Sequence, residues 1–254
     1  MKQILLLLIG LLFFQTTAEA QLLSEKAQIS LLTSSPYEGE VFTVYGHAAL
    51  RLKDEPRKMD LVFNYGIFSF EKPNFIYRFA KGETDYMLGV MKYSDYIIEY
   101  QLRGSTVTEQ VLNLSPAEKE RIWGALLKNY EPENREYRYN FFFDNCATRP
   151  AQLIENNVVG KVDYCWNPEP KTFRDVINYC TRNHSWLTFG CDLALGSPTD
   201  RTMTPHEMLF LPEYLKEAVA SAVIVSDDGS TRPLVRQTHV LESEPEEAPT
   251  EWCT

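Results

Sequence analysis

The sequence predicts an α+β domain in which an antiparallel sheet packs against helices. Strand-like segments are concentrated in the first half of the chain, and most of the marked helix starts lie in the second half. A cysteine at one predicted helix start and a histidine on a predicted strand also fit a papain-like arrangement. The 254 residues suffice for one large domain, and no internal repeat divides them.

The predicted strands are rich in β-branched and aromatic residues, and turn residues separate them. The clearest pair flanks the turn signal Asp54-Glu55-Pro56-Arg57-Lys58 and forms a candidate hairpin. Six segments carry the strand pattern, and they cover residues 27–32, 41–52, 60–70, 87–91, 106–114 and 235–241.

Helix starts are marked by a cap residue followed three places later by an acidic residue, which is the capping-box pattern. Ser115 with Pro116 and Glu118 is the clearest case, because proline is favoured at the first helical position. A further helix is expected over residues 215–223. The capping pattern recurs at two later places, Thr172 with Asp175 and Thr204 with Glu207.

The N-terminus has the features of a secretory signal peptide. Lys2 precedes an apolar run over residues 4–14, and Ala18-Glu19-Ala20 matches the A-x-A cleavage pattern. The apolar run is too short to span a bilayer, and no later segment is apolar for long enough. The sequence therefore predicts a signal peptide over residues 1–20, cleavage near Ala20, and a periplasmic or secreted mature chain without a transmembrane segment.

The mature chain is expected to form one catalytic domain followed by an acidic tail. Residues 21–241 hold all the predicted strands and helices, whereas residues 242–254 contain five glutamates and two prolines and are predicted to be disordered. The formal net charge is −10, and no basic run interrupts the sequence. This charge argues against nucleic acid and against anionic lipid as electrostatic partners.

Five cysteines are an odd number, so at least one thiol stays unpaired within the chain even in an oxidising compartment. If Cys146 is that thiol, Cys165, Cys180, Cys191 and Cys253 can form up to two disulfides. The first three of these lie in one segment and allow a bridge among them, but the spacing leaves the pairing open. Neither CxxC nor HExxH occurs, so the sequence predicts no metal and no cofactor.

Cys146 is the candidate nucleophile. It follows Asp144 and Asn145 at the point where a helix is expected to begin and to run through Ile154. Unpaired N–H groups and the positive end of the helix dipole favour thiolate over thiol at such a position. His47 lies on a predicted strand and is the candidate base for this thiol.

The candidate hairpin places a third residue beside the histidine. If its turn is centred between Glu55 and Pro56, residues whose numbers sum to 111 face each other, and His47 pairs with Asn64. Asn64 would then orient the imidazole, as the third member of a catalytic triad does. A bulge would shift the register by one residue, flip the face and bring a neighbour opposite His47, Phe63 or Tyr65.

Each candidate also has a structural explanation. The cysteine can be a small buried hydrophobe, the histidine a satisfied strand residue, and Asn64 the start of a turn. Asp144 can cap the helix, and Arg149 is equally compatible with a structural salt bridge. We retain three residues as candidate supports of the site, Asp144, Asn145 and Arg149.

The order of these motifs resembles the Lnb N-terminal periplasmic domain family, long described as a domain of unknown function. The Gly46-His47 pair, the Asn64-Tyr65-Gly66 segment and the Asp144-Asn145-Cys146-Ala147-Thr148-Arg149 block carry the resemblance. Shorter matches extend it from about Leu31 to Leu215. The resemblance implies a thiol enzyme of the permuted papain-like or NlpC-type kind, in which the histidine precedes the cysteine.

The best-understood members of that family are similar to lipoprotein N-acyltransferases. The resemblance therefore implies acyl transfer through a thioester on Cys146, with His47 as base and then acid, and with phospholipid or lipoprotein as substrate. The acyltransferases carry membrane helices after this domain and this sequence shows none, which suggests a membrane-protein partner. The alternatives are a papain-like amidase or peptidase acting on peptide or cell-wall substrates, and a non-catalytic envelope binding module.

One residue departs from the family pattern. Pro150 follows Arg149 and lacks the N–H that would bond to the carbonyl of Cys146. The sequence therefore predicts that this helix either bends at Pro150 or begins later than Cys146.

Overall fold

The computed structural model describes residues 22–37, 43–67 and 85–241. The predicted signal peptide, the predicted acidic tail and parts of two predicted strands, at 41–42 and 68–70, lie outside these residues. Within the described ranges, none of the helices combines the length and the apolar character needed to cross a membrane.

The described strands form two antiparallel sheets. The smaller sheet consists of β7 (Lys161–Asp163), β8 (Val223–Val225) and β9 (Thr231–Pro233). The larger sheet has seven strands, β1 (Gln28–Ser34), β2 (His47–Asp54), β3 (Met59–Ile67), β4 (Asp85–Lys92), β5 (Val107–Leu112), β6 (Glu136–Arg138) and β10 (Val235–Leu241). Their spatial order is β10-β5-β1-β2-β3-β4-β6, and every neighbouring pair is antiparallel.

The α-helices in the described ranges are α1 (Tyr93–Leu102), α2 (Pro116–Tyr130), α3 (Thr148–Asn157), α4 (Phe173–Thr181), α5 (Ser185–Leu195) and α6 (Pro212–Ser221). Both capping boxes that precede α2 and α4 are formed, with Ser115 and Thr172 as the cap residues. The predicted α+β class with an antiparallel sheet is confirmed.

The large sheet is covered on both faces. Successive residues of a strand point to opposite sides, so Leu31 joins the main core while Leu32 joins a smaller cluster behind the sheet. Residues of α2, α3 and α6 pack into the main core, and α1 supplies Tyr96 and Tyr100 to the smaller cluster. A third cluster gathers residues of α4 with Phe210 and Leu211 beside the sheet.

The predicted register of the β2–β3 hairpin is wrong by two residues. The loop holds four residues, because a short 3-10 turn ends at Lys58 in the left-handed region, with φ 54°. Asp54 therefore pairs with Met59, and the numbers of paired residues sum to 113. The alternative of a one-residue shift is also wrong. A shift of two residues preserves the face, so His47 and Asn64 still lie on the same side of the sheet.

Two predicted starts are corrected by the structure. The strand predicted from residue 41 begins only at His47, because residues 43–45 form a turn. The helix predicted from Cys146 begins at Thr148, so Pro150 lies in its first turn, where a backbone N–H has no partner within the helix.

The capping pattern at Thr204 does not start an α-helix. Thr204 and Glu207 do exchange the predicted hydrogen bonds, but only a 3-10 turn over Glu207–Phe210 follows. Leu211 is extended there because it precedes Pro212, and proline disfavours the helical conformation in the residue before it. Pro212 then opens α6, so the helix predicted over 215–223 starts earlier and ends at Ser221.

No disulfide links the cysteines of the described residues. Cys146, Cys165, Cys180 and Cys191 are free thiols, so the bridge that the spacing allowed is not formed. Their surroundings differ: Cys180 and Cys191 pack against the third cluster, whereas Cys165 is exposed. Cys253 lies outside the described residues.

Candidate active site

Cys146 is placed by a tight loop that precedes α3. The N–H of Asn140 donates to the carbonyl of Asp144 at 3.1 Å, and the N–H of Asp144 donates back at 2.9 Å. The side-chain oxygen of Asn140 accepts the N–H groups of Phe142 and Phe143, both at 3.1 Å. These bonds close the loop, so the chain reaches the cysteine in a defined direction.

Asn145 fixes the backbone on both sides of the thiol. Its amide nitrogen donates to the carbonyls of Phe141 and Phe210, both at 2.8 Å. Its amide oxygen accepts the N–H groups of Ala147 at 2.8 Å and Thr148 at 2.9 Å, so it satisfies two backbone donors where α3 begins. All the bonding groups of this buried amide are used, which makes Asn145 a positioning residue rather than a reactive one.

His47 stands at the first position of β2, directly after a glycine that the geometry requires. Gly46 has φ +73°, and a Cβ added there would lie 2.7 Å from the carbonyl oxygen of Ser34. His47 pairs with Ser34 in the sheet. Its ring lies parallel to the ring of Tyr100, with 6.5 Å between centroids. The Gly-His motif thus allows the strand to start close against β1 with the imidazole held in place.

Asn64 reaches the imidazole from β3. Its Oδ1 is hydrogen-bonded to Nε2 of His47, although the two residues are not directly paired. The strand has an irregularity between Tyr65 and Ile67, where Gly66 takes φ +102°. Gly66 also lies against the thiol, because a Cβ added to it would be 3.7 Å from the Cβ of Cys146. The bulge therefore positions two residues of the site, Asn64 beside the imidazole and Gly66 against the thiol.

The thiol and the imidazole shift each other's pKa. Burial raises the pKa of Cys146, but the charge and hydrogen bond of His47 and the N–H groups of Ala48 and Cys146 lower it below the usual 9.0. Burial lowers the pKa of His47, but the charge of Cys146 and hydrogen bonds to Cys146 and Asn64 raise it above the usual 6.5. Both directions favour a thiolate–imidazolium pair.

Arg149 is engaged within the fold. Its guanidinium forms a two-point salt bridge with Asp144, in which Nη2 donates to Oδ2 at 2.9 Å. The same group lies 3.5 Å from the ring centre of Tyr137. The structural salt bridge considered from the sequence is therefore present, and it braces the loop that carries the cysteine.

Two cavities meet at His47. The first, of about 110 Å3, is walled by aromatic residues and holds the thiol, and its lining includes Tyr45, Tyr139, Phe141 and Phe210. The second, of about 150 Å3, is more polar, and its lining includes Asn64 with the ion pair of Glu99 and Arg103. Because Nε2 of the imidazole is bonded to Asn64, its other nitrogen, which faces Cys146, is the one that can exchange protons with a reactant.

The structure brings together Cys146, His47 and Asn64, with Asp144, Asn145 and Arg149 as their support. Sequence reasoning missed the N–H of Ala48 and the aromatic wall from Tyr45 and Tyr139. The signal available was position in the chain, since Ala48 and Tyr45 flank His47 closely and Tyr139 precedes the loop that carries Cys146. Within the described ranges, no three His, Cys, Asp or Glu side chains are grouped to hold a metal ion.

Comparison with known proteins gives one match. The model of a family described as the Lnb N-terminal periplasmic domain matches residues 14–179, more than half of the 254-residue chain. No curated protein and no solved structure matches the chain.

Proposed function

Since the chain belongs to the Lnb N-terminal periplasmic domain family, we propose that it is a cysteine-dependent acyl-transfer enzyme that works through a thioester. The single observation that carries the proposal is the hydrogen-bonded set of Cys146, His47 and Asn64, in which the pKa of the thiol is lowered and that of the imidazole raised. A structural cysteine in an apolar core would have its pKa raised, as burial raises that of Cys180 to about 11.

The proposed chemistry has two steps. The Cys146 thiolate attacks the carbonyl carbon of an acyl ester, the C–O bond breaks, and the His47 imidazolium gives its proton to the leaving alkoxide. An amine then attacks the thioester, neutral His47 takes the proton of that amine, and the C–S bond breaks to restore the thiolate. The N–H groups of Ala48 and Cys146, which stabilise the thiolate, are the candidate donors to the oxyanion.

The aromatic cavity suggests where the reactants bind. In the proposal, this cavity beside Cys146 receives the acyl group, and the acceptor amine also approaches from the thiol side of His47, where it can reach the thioester carbon. Water in place of the amine would make the protein a hydrolase, since both reactions share the acyl-enzyme. The histidine before the cysteine fits a permuted papain-like arrangement, which is part of the same proposal.

The proposal includes the location of the enzyme. Membership in a periplasmic domain family supports a periplasmic catalytic domain over residues 21–241, after removal of the signal peptide proposed at residues 1–20. The acidic segment 242–254 is proposed to lie outside that domain.

Mass spectrometry of the intact protein after incubation with phospholipid tests the function. We expect a fatty-acyl mass increment located on the peptide that contains Cys146. Cys146→Ala should lose the increment, whereas Cys180→Ala, the matched loss of an unreactive thiol, should keep it. Absence of an adduct on Cys146 with phospholipid and with lipoprotein donors would contradict acyl transfer from lipid. An adduct formed only with a peptide thioester would favour the amidase.

A further inference from the structure

Helix α5 presents an apolar face to the outside of the molecule. Trp186 is 87% exposed, Phe189 60% and Leu193 74%. Their spacing of three and four residues places them on one side of the helix, and Gly190 and Ala194 are exposed beside them. A contiguous exposed face of this kind marks an interaction surface rather than ordinary surface composition.

This helix is held firmly by its other side. The hydroxyl of Thr188 donates to the carbonyl of Thr181 at 2.9 Å, which anchors α5 on α4. Arg174 of α4 is paired with Asp192 and donates to the carbonyl of Gly196 at 2.7 Å. Asp192 is the only charged residue of α5, and this pairing neutralises it. The outward face is therefore uncharged, and the helix is anchored through its inner side.

The segment that leads into α5 and the start of the helix itself contain residues typical of a membrane interface. Tyr179, in the last turn of α4, is 63% exposed, and the guanidinium of Arg182 lies 4.3 Å from the centre of its ring. Trp186 contacts Phe189 edge to face, with 6.3 Å between centroids. Tryptophan, tyrosine and arginine bordering an apolar face are typical of helices that lie in the surface of a bilayer.

We propose that the outward face of α5 docks on the surface of a zwitterionic phospholipid bilayer. Charge selects this partner: the chain has a net charge of −10 and would be repelled by an anionic surface, whereas the face itself carries no charge. An apolar helix face on an anionic protein fits a neutral lipid surface.

Docking in this orientation leaves the candidate site behind α5, on the inner side of the helix. Cys191 lies on the inner side of α5, with its sulfur 3.6 Å from the hydroxyl of Tyr45. Tyr45 lines the cavity that holds Cys146. Tyr45 thus contacts α5 and also lines the cavity that holds Cys146. The idea that a bilayer lipid is the acyl donor rests on the proposed function. The docking itself does not depend on that function.

Flotation of the full mature chain with phosphatidylcholine vesicles tests the docking. We expect wild type to float, and Leu193→Glu to lose vesicle partitioning on the order of tenfold or more, because a leucine that enters the lipid on docking is replaced by a charge. Leu102→Glu, at an equally exposed leucine of α1, is the matched control and should float like wild type. Binding should be unchanged between low and high salt, since the contact is apolar.

Three results would overturn the proposal. Wild type does not float, or Leu193→Glu floats as well as Leu102→Glu, or ultracentrifugation shows a dimer that Leu193→Glu dissociates while vesicles bind neither form. Unchanged alkylation of Cys146 in Leu193→Glu would show that the variant is folded. Cys146→Ala should float like wild type. If flotation depends on Leu193 but no acyl adduct forms, the docking stands and the proposed function fails.

Discussion

At the scale of single residues, the site depends on an imidazole held between an amide and a thiol. Asn64 and Cys146 both hydrogen-bond to His47, and both bonds raise the pKa of its ring. The remaining candidates act on the backbone: Asn145 uses all its bonding groups, and Arg149 braces Asp144. Reactive and positioning residues are therefore distinct in this site.

We predict that Asn64→Ala lowers the alkylation rate of Cys146 at pH 7 by about fivefold, the equivalent of one hydrogen bond of about 1 kcal/mol. The loss should be smaller than that of His47→Ala, because orientation is secondary to the charge of the ring. Peptide-resolved mass spectrometry after iodoacetamide measures both rates. Asn64→Asp keeps the acceptor and should restore the rate; an equal loss in Asn64→Ala and His47→Ala would refute this ranking.

At the scale of elements, the bulge in β3 sets the geometry of the site. It occurs at Gly66, whose φ of +102° is one that residues with side chains rarely adopt. Asn64 lies just before the bulge and pairs with Gly89 of β4. The strand can thus pair along its length and still place Asn64 beside the imidazole and Gly66 against the thiol.

We predict that Gly66→Ala destabilises the protein by about 1–3 kcal/mol through backbone strain. A Cβ there would make only ordinary contact with Cys146, at 3.7 Å, so the loss comes from conformation rather than from a clash. Urea unfolding measures it. Gly124→Ala is the control, since that glycine is exposed within α2 with open space around it and alanine favours helix. Equal stability of the two variants would argue against strain at Gly66.

Elements with strong local signals could be predicted from the sequence. Ser115 and Thr172 begin helices as expected, and the strand predicted over 235–241 has those bounds in the structure. Helix α5 was missed because apolar residues lie on both of its sides, so its sequence does not show the contrast between an apolar and a polar face that marks most helices. The three-residue strands of the small sheet were missed because they are too short to show alternation.

The site itself was predictable only in part. His47, Asn64 and Cys146 stand out by residue type, but their contact depends on the hairpin turn, whose centre lies one residue later than predicted and so shifts the pairing by two. Because the predicted register was wrong by two residues, His47 and Asn64 still lie on the same face of the sheet. The hydrogen bond expected between them therefore forms, although the strands pair in a different register. The aromatic cavity was not predictable, because its walls come from segments as distant as Tyr45 and Phe210.

At the scale of the whole molecule, the site lies where the sheet meets the third cluster. Asn145 donates to Phe141 and Phe210, so the loop before the cysteine and the turn before α6 are tied at one point. Another buried group, Glu118 of α2, links distant parts: it accepts the N–H groups of Ser115 and Val159, both at 2.7 Å, and pairs with Arg232 of β9. Asn145 and Glu118 thus each link segments that are distant in the chain.

We predict that Glu118→Gln lowers the free energy of unfolding by about 1–3 kcal/mol at pH 7. Burial raises the pKa of Glu118, but hydrogen bonds from Val159 and Ser115 and the charge of Arg232 lower it below the usual 4.5. A lowered folded pKa stabilises the fold above pH 4.5, and this stabilisation is lost as pH falls through the folded pKa.

Urea unfolding across pH 3–7 checks this prediction, with Glu217→Gln at an exposed position of α6 as control. The stability difference between wild type and Glu118→Gln should shrink toward acid, while the control stays close to wild type. A difference that is constant with pH would contradict a role for the charge of Glu118.

The pH dependence of Cys146 alkylation tests the central claim, a thiolate paired with the His47 imidazolium, most directly. The lowered thiol pKa predicts that the reaction of wild-type Cys146 with iodoacetamide has its midpoint below pH 9, and that Cys180, whose pKa is raised to about 11, reacts only at higher pH. His47→Ala removes the charge that opposes burial, so the midpoint for Cys146 should rise above 9. An unchanged profile for Cys146 in folded His47→Ala protein would contradict the account.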